Sequence, residues 1–327
     1  MALPGMHRYK LSIQYNGTKY LGWQTQPSDS HASRLIKKSV QSVIEVIGRS
    51  AKLTIAGRTD TGVHAIKNVA HIDLLSTDAK TKSADRVLDA PLTPIIFFKS
   101  PPFLAQTLKD AINYFLRKHP HIAITSVERT DGSFNARFSA IEREYIYRII
   151  NVVDRTGIPF ENDRRWVYRR PLNVEKMNTA CKMLIGCHDF STFSTMSCIK
   201  SSSPIRHLYE FRVEEDDYGD YGLWFPDASL SNSLFLKITV RAKSFMTHQV
   251  RKMVAAVASA GAGKIQLDQI KMLLKAKNPL LCPPMAPPGG LYLKSVTYPP
   301  NSYIVYESSA KTLEELQTFK LKARQQR

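Results

Sequence analysis

The chain has 327 residues, 43% of them apolar, and 46 Lys and Arg against 28 Asp and Glu, for a net charge of +18. That length and apolar content suit one large or two medium folded domains, and they exclude a small secreted module held by disulfides, because Cys181, Cys187, Cys198 and Cys282 show no C-x-x-C spacing and read as reduced thiols. No apolar run reaches the roughly 18 residues of a membrane span, so the excess of cations points to an anionic partner, nucleic acid or membrane surface, bound through release of condensed counterions.

Tyr9, Leu11, Ile13 and Tyr15 alternate with polar residues, which predicts a half-buried strand ending at the Asn16-Gly17 turn. Its start at Tyr9 leaves little room for a cleavable presequence. Leu35, Val40, Val43, Ile44 and Ile47 predict a helix closed by Gly48. A strand at Leu53 to Ile55 then leads into a glycine-flanked loop, Ala56-Gly57-Arg58-Thr59-Asp60-Thr61-Gly62, and a strand at Asn68 to Leu75 leads out of it. Ser76 to Pro102, with Pro91, Pro94, Pro101 and Pro102, reads as an insertion with a short helix around Ala84 to Leu88.

A helix from Leu104 to Lys118 and a strand from Ile122 to Val127 follow. A strand at Arg143 to Ile150 and a helix at Val174 to Ile185 begin a second half that opens as the first does, strand then helix. Leu234, Leu236, Ile238 and Val240 alternate with residues that include Lys237 and Arg241, and Lys243 continues the polar side, a strand expected to offer a basic face. Met246, Val250, Met253, Val254 and Val257 then recur at helical spacing, which puts His248, Arg251 and Lys252 off the main apolar stripe. A short helix at Leu267 to Leu274, a proline-rich loop at Cys282 to Pro288, a strand at Leu291 to Thr297 and a helix at Leu313 to Ala323 complete the reading.

Several constellations carry chemistry, each with a plainer alternative. Asp60 in a Thr-Asp-Thr-Gly turn is an ordinary Asx-turn residue or, with Arg58 and the distant Arg251 as ionic partners, an ionised carboxylate able to act as nucleophile or base. Tyr145 and Tyr147 share one strand face, as a cross-strand aromatic ladder or as a platform for an extruded base. Arg164, Arg165, Arg169 and Arg170 around Trp166 and Tyr168 suit RNA, or a solvated charged loop. Ala260-Gly261-Ala262-Gly263-Lys264 lacks the first glycine and the final Ser or Thr of a phosphate-binding loop and reads as a helix stop. His64 and His71, with Asp60 and Asp73 near them in sequence, match no usual metal-ligand spacing, and no G-x-S-x-G nucleophile turn occurs.

The loop AGRTDTGVHA, the early strand YKLSIQYNGTKYLGWQTQP, FNARFSA at Phe134 to Ala140, REYIY at Arg143 to Tyr147, FMTHQVRKMV at Phe245 to Val254 and GLYL at Gly290 to Leu293 together resemble the TruA family of tRNA pseudouridine synthases, in order over nearly the whole chain. Thr61 stands where the family has alanine and Asn135 where histidine is common. The Val-Gln start of the family's first helix is not evident around Ser33 to Val40.

The resemblance implies an α+β pseudouridine synthase fold, two α/β halves around a mixed, largely antiparallel sheet with a central basic cleft. The expected divisions are residues 1–140 carrying the Asp60 loop, 141–308 carrying Tyr145 and Arg251, and a basic tail at 309–327. By the same resemblance, Asp60 is the essential aspartate and Arg58 helps flip or replace the target base. Tyr145 packs on the uracil, Arg251 pairs with the aspartate, and Leu291 lines the pocket. The expected partners are tRNA and a second copy of the chain, with no metal, no nucleotide cofactor and no membrane. The stretches HIDL and GLYLKSVTY point to the family's mitochondrial branch. A non-catalytic tRNA-binding or tRNA-folding protein on the same fold is the alternative.

Overall fold

The computed structural model of the chain describes residues 6–23, 36–47, 51–75, 103–152, 161–216 and 233–300. Leu35, the Gly48 helix stop, the insertion at 76–102 and the tail beyond residue 300 lie outside them.

Among the described residues, ten strands form one mixed, mostly antiparallel sheet: β1 (Met6–Tyr15), β2 (Thr54–Ile55), β3 (His64–Leu75), β4 (Ile122–Thr130), β5 (Glu142–Asn151), β6 (Trp166–Tyr168), β7 (Gly186–Asp189), β8 (Ile205–Glu215), β9 (Leu234–Ala242) and β10 (Leu291–Thr297). Their order is β4-β1-β3-β10-β5-β9-β8-β7. The last of the described strands thus sits in the middle of the sheet. It runs parallel to β3 through only Tyr292 opposite His64 and Leu293 opposite Ala65, and antiparallel to β5 from Leu291 opposite Tyr147 to Thr297 opposite Glu142. Further along these strands β2 pairs with Ala70 and His71 of β3, and β6 with Ile149 to Asn151 of β5.

Among the described residues there are six α-helices: α1 (Ile36–Ile47), α2 (Ala105–Leu116), α3 (Val174–Leu184), α4 (Met196–Ser201), α5 (Gln249–Gly261) and α6 (Leu267–Ala276). Leu108, Ile112 and Leu116 of α2, each four residues from the next, bury one stripe over β4, and α1 packs on α2. On the other side of the molecule α3 packs on β8, α5 and α6. The α3 helix begins where Asn173 accepts from the Lys176 N–H and places Met177, Ala180, Cys181 and Leu184 inward.

Three expectations change. Helix α5 is buried nearly all round, so Arg251 does not fall outside its packed surface but is itself 8% exposed. The β9 strand does not offer an unbalanced basic face: Lys237 pairs with Glu214 at 2.8 Å, and Arg241 with Glu142 at 2.8 Å and Glu210 at 2.9 Å. Cross-strand glutamates on β5 and β8 take up those charges. Arg165 is not at an RNA surface either. It is buried between Glu161 and Asp216, at 3.0 and 2.6 Å, while Trp166 packs edge-on against Tyr147 and Tyr168.

The Ala260 to Lys264 stretch ends α5 as expected, with Gly263 at φ 70° and its N–H donating to the Ala260 carbonyl.

Candidate active site

The loop between β2 and β3 is held from below before any functional contact is considered. The Asn68 side-chain amide donates to the Gly57 carbonyl at 2.9 Å, and Arg143 donates through Nε and Nη2 to the Ala56 carbonyl at 3.2 and 2.8 Å. Tyr15 Oη and Thr59 Oγ1 share a hydrogen bond of 2.8 Å. From the side, the segment after β1 pins the loop backbone: Trp23 N–H donates to the Thr59 carbonyl and Gly62 N–H to the Tyr20 carbonyl. Gly22, at φ 83°, makes this approach possible, because a Cβ there would lie 2.6 Å from the Thr59 carbonyl oxygen.

On this support Asp60 faces the start of α5. Its Oδ2 lies 3.2 Å from Arg251 Nη1 and 3.6 Å from His248 Nε2, and the side chain remains 29% exposed. The Arg251 guanidinium is fixed as well, since its Nε donates to the Ala286 carbonyl at 2.8 Å. His248 precedes the first turn of α5 in the left-handed region, φ 64°, which costs a residue with a Cβ of order 1 kcal/mol. The strained turn carries the imidazole to the carboxylate. The Arg251 guanidinium and the His248 imidazole from one helix start therefore meet an aspartate some 190 positions earlier in the chain, and the N-terminus of the helix adds the positive end of its dipole.

Tyr145, on β5 opposite Leu293 and Val240, stands beside this group. Its ring meets Phe245 edge-on with centroids 5.2 Å apart, and its hydroxyl lies close to Gly57. Burial pushes the phenol well above its usual range, Tyr15 and Asp60 add to the rise, and Arg143 opposes it. Tyr145 thus stays un-ionised at neutral pH, which argues against a tyrosinate base and for a neutral ring that packs or donates. Tyr147, one layer along, is committed to the frame: its hydroxyl donates to the Pro287 carbonyl at 2.7 Å.

Of the five residues expected from the sequence, Asp60 and Arg251 touch, and Tyr145 adjoins their loop. Arg58 is exposed on the same loop. Leu291 is buried opposite Tyr147, whereas Leu293, two residues on, is the β10 side chain beside Tyr145 and Gly57. Two participants were not singled out. His248 has no periodic signal, because it precedes the helix and takes a left-handed turn. Arg143 read only as the start of a strand.

His64 and His71 are framework groups: Gly17 N–H donates to His64 Nδ1 at 3.0 Å and Ala136 N–H to His71 Nδ1 at 3.1 Å. Among the described residues, no three His, Cys, Asp or Glu side chains group as a metal site requires, and no helix is long and apolar enough to cross a membrane.

Residues 180–299 match the family model described as tRNA pseudouridine synthase. Curated relatives named tRNA pseudouridine synthase A align over nearly the whole chain. That of Parvibaculum lavamentivorans is 33% identical over 90% of this chain and 100% of its own length. That of Xanthobacter autotrophicus is 36% identical over the same shares, and that of Ehrlichia chaffeensis 35% identical over 89% of this chain and 100% of its own length.

Proposed function

The chain belongs to the TruA family of tRNA pseudouridine synthases and isomerises uridine in tRNA to pseudouridine, and from that premise we propose that Asp60 performs the chemistry while Arg251 and His248 hold it in place. The observation that carries this reading is the convergence of Arg251 Nη1 and His248 Nε2 on one oxygen of a partly exposed carboxylate.

The reaction breaks the N1 to C1′ bond, turns the uracil and joins C5 to C1′. Nothing is oxidised or reduced. The uridine must first leave its stack, at a cost of a few kcal/mol, which phosphate contacts and packing on Tyr145 offset. Asp60 then acts in one of two ways. It attacks C1′, and the bond electrons leave with N1 of the uracil; C5 of the turned base later displaces the carboxylate. Or it removes the C2′ proton to give a glycal, to which C5 adds as the proton returns. In both, C5 finally loses its proton and N1 gains one. By the family resemblance Arg58, exposed on the same loop, would take the space of the flipped base and Leu291 would line the uracil pocket, although Leu293 is the β10 side chain nearer Tyr145.

Release of tritium from tRNA labelled at C5 of uridine tests the assignment. Asp60→Asn is expected to lower the rate at least a thousandfold, as loss of a covalent or proton-transfer group does, with the thermal unfolding midpoint unchanged; retained activity would sink it. Deuterium at C2′ separates the two routes, because only the glycal route gives a primary isotope effect.

Assembly as a homodimer and membership of the mitochondrial branch extend the proposal. Both rest on the resemblance, through HIDL and GLYLKSVTY for the branch. Light scattering of the purified protein and imaging of a carboxy-terminal fluorescent fusion test them, with a monomer or a cytosolic signal as the opposing results.

A further inference from the structure

FNARFSA supplies no side chain to the group around Asp60, yet its backbone is held by several buried side chains. The backbone from Gly132 to Ser139 is fixed from four directions: Arg8 Nη1 donates to the Gly132 and Phe134 carbonyls, both at 2.7 Å, His71 accepts from Ala136 N–H, Tyr298 Oη donates to the Ala136 carbonyl at 2.7 Å, and Arg143 Nη2 donates to the Arg137 carbonyl at 2.9 Å. Within the loop, Asn135 Oδ1 accepts from the N–H groups of both Arg137 and Phe138, at 3.0 and 3.1 Å.

What this rigid frame presents is a Phe138 ring that is 76% exposed, with the Arg137 guanidinium 5.3 Å from its centroid. One nitrogen, Arg143 Nη2, bonds both the Arg137 carbonyl and the carbonyl of Ala56, two residues before Arg58 and four before Asp60. The loop that carries the exposed ring is therefore tied through one buried guanidinium to the loop that carries Asp60. Held apolar area facing water gains nothing for folding. A flat ring backed by a cation matches a nucleobase and its phosphate.

We propose that Phe138, with Arg137 behind it, stacks on the unpaired base next to the uridine that enters the Asp60 site, and so helps set which uridine is admitted. This rests on tRNA being the substrate. Once the target nucleotide is extruded, its neighbour loses a stacking partner. Phe138 replaces that partner, and Arg137 meets the phosphate between the two nucleotides.

Two measurements test this separately from the isomerase chemistry. In equilibrium binding of fluorescent tRNA, Phe138→Ala should weaken affinity by about 5- to 150-fold, the range found for removing one aromatic stacking platform, and Phe138→Trp should restore it. In tritium release, Phe138→Ala should lower kcat/KM by a similar factor on normal tRNA. That loss should vanish on tRNA lacking the base on one particular side of the target. Unchanged binding in Phe138→Ala, no restoration by Trp, or a loss that persists with either neighbouring base removed would each overturn the proposal. If the wild-type protein released no tritium, the binding comparison alone would decide the role of Phe138.

Discussion

His248 is the residue at which local rule and function part company. A histidine in the left-handed region is strained, and glycine would relieve that strain. The backbone is nonetheless turned this way beside Asp60. His248→Gly is therefore expected to unfold at higher temperature than His248→Ala, by roughly 1 kcal/mol of stability, while both lose at least tenfold in kcat with little change in tRNA affinity. A variant pair of equal stability, or a loss confined to binding, would remove the positioning role. Arg251 is not replaceable by lysine for a related reason. Its planar fork reaches the Ala286 carbonyl through Nε and Asp60 through Nη1, a spacing between two nitrogens that a lysine ammonium does not reproduce. Asp60 itself was legible in the sequence, because glycines and an arginine flank it in a loop between two strands. Its partners were not legible from pattern. Arg251 interrupts no stripe when a helix is buried on nearly every side, and contact across 191 positions leaves no local trace.

At the level of elements, the loops around the site depend on two buried side chains. Arg143 donates to carbonyls of Ala56, Arg137 and Lys243, which lie on the Asp60 loop, the Phe138 loop and the segment leading to α5. Replacement by lysine leaves buried carbonyls unmatched, at about 1 to 3 kcal/mol for each. Arg143→Lys should therefore lower both the unfolding midpoint and kcat in the same protein. Stability and rate both unchanged would show that the three loops hold without it.

His71 sets an acid limit. Burial, helped by Arg8, lowers its pKa from 6.5 to about 4, and its neutral Nδ1 accepts the Ala136 N–H. A histidine lowered in the folded state contributes stability that is complete above pH 6.5 and is lost as pH falls from there toward 4, up to roughly 3 kcal/mol. Chemical denaturation between pH 7 and 4 should show that slope, and His71→Asn should flatten it. Most strands at this scale were readable from alternation. Strand β8 was not, because a register shift between Leu208 and Glu210 breaks its period before Phe211 and Val213 resume it. The two-residue β2 lies within the strand expected at Leu53 to Ile55, whereas the three-residue β6 is set by the β5 edge it covers.

For the whole molecule, the order of the sheet decides what the site depends on. Asp60 precedes β3 and Arg251 follows β9, and the strands between them meet only through β10. A chain ending at Pro287 lacks β10 entirely and is expected to lose all activity together with the cooperative unfolding transition of the full protein, as seen by calorimetry. Adding a peptide of residues 288–300 in excess should recover part of both. Full cooperativity in the shortened chain would mean that β3 and β5 pair without the strand between them. The α+β class and the antiparallel bias were legible in the alternating segments, but the central place of β10 was not. A strand that enters between earlier ones is a fact of topology, and its apolar Leu291, Leu293 and Val296 mark it only as buried on one face.

That placement has a consequence for synthesis in the cell. Translation at about 5 to 20 residues per second separates Asp60 from Leu293 by roughly 10 to 50 seconds, and through that interval the inner edges of β3 and β5 have only β2 and β6 on them. Each is an open ladder able to pair with a neighbouring nascent chain. The enzyme's most vulnerable surface is therefore one that the finished molecule never shows, and a slow codon late in the message would lengthen its exposure more than one early on.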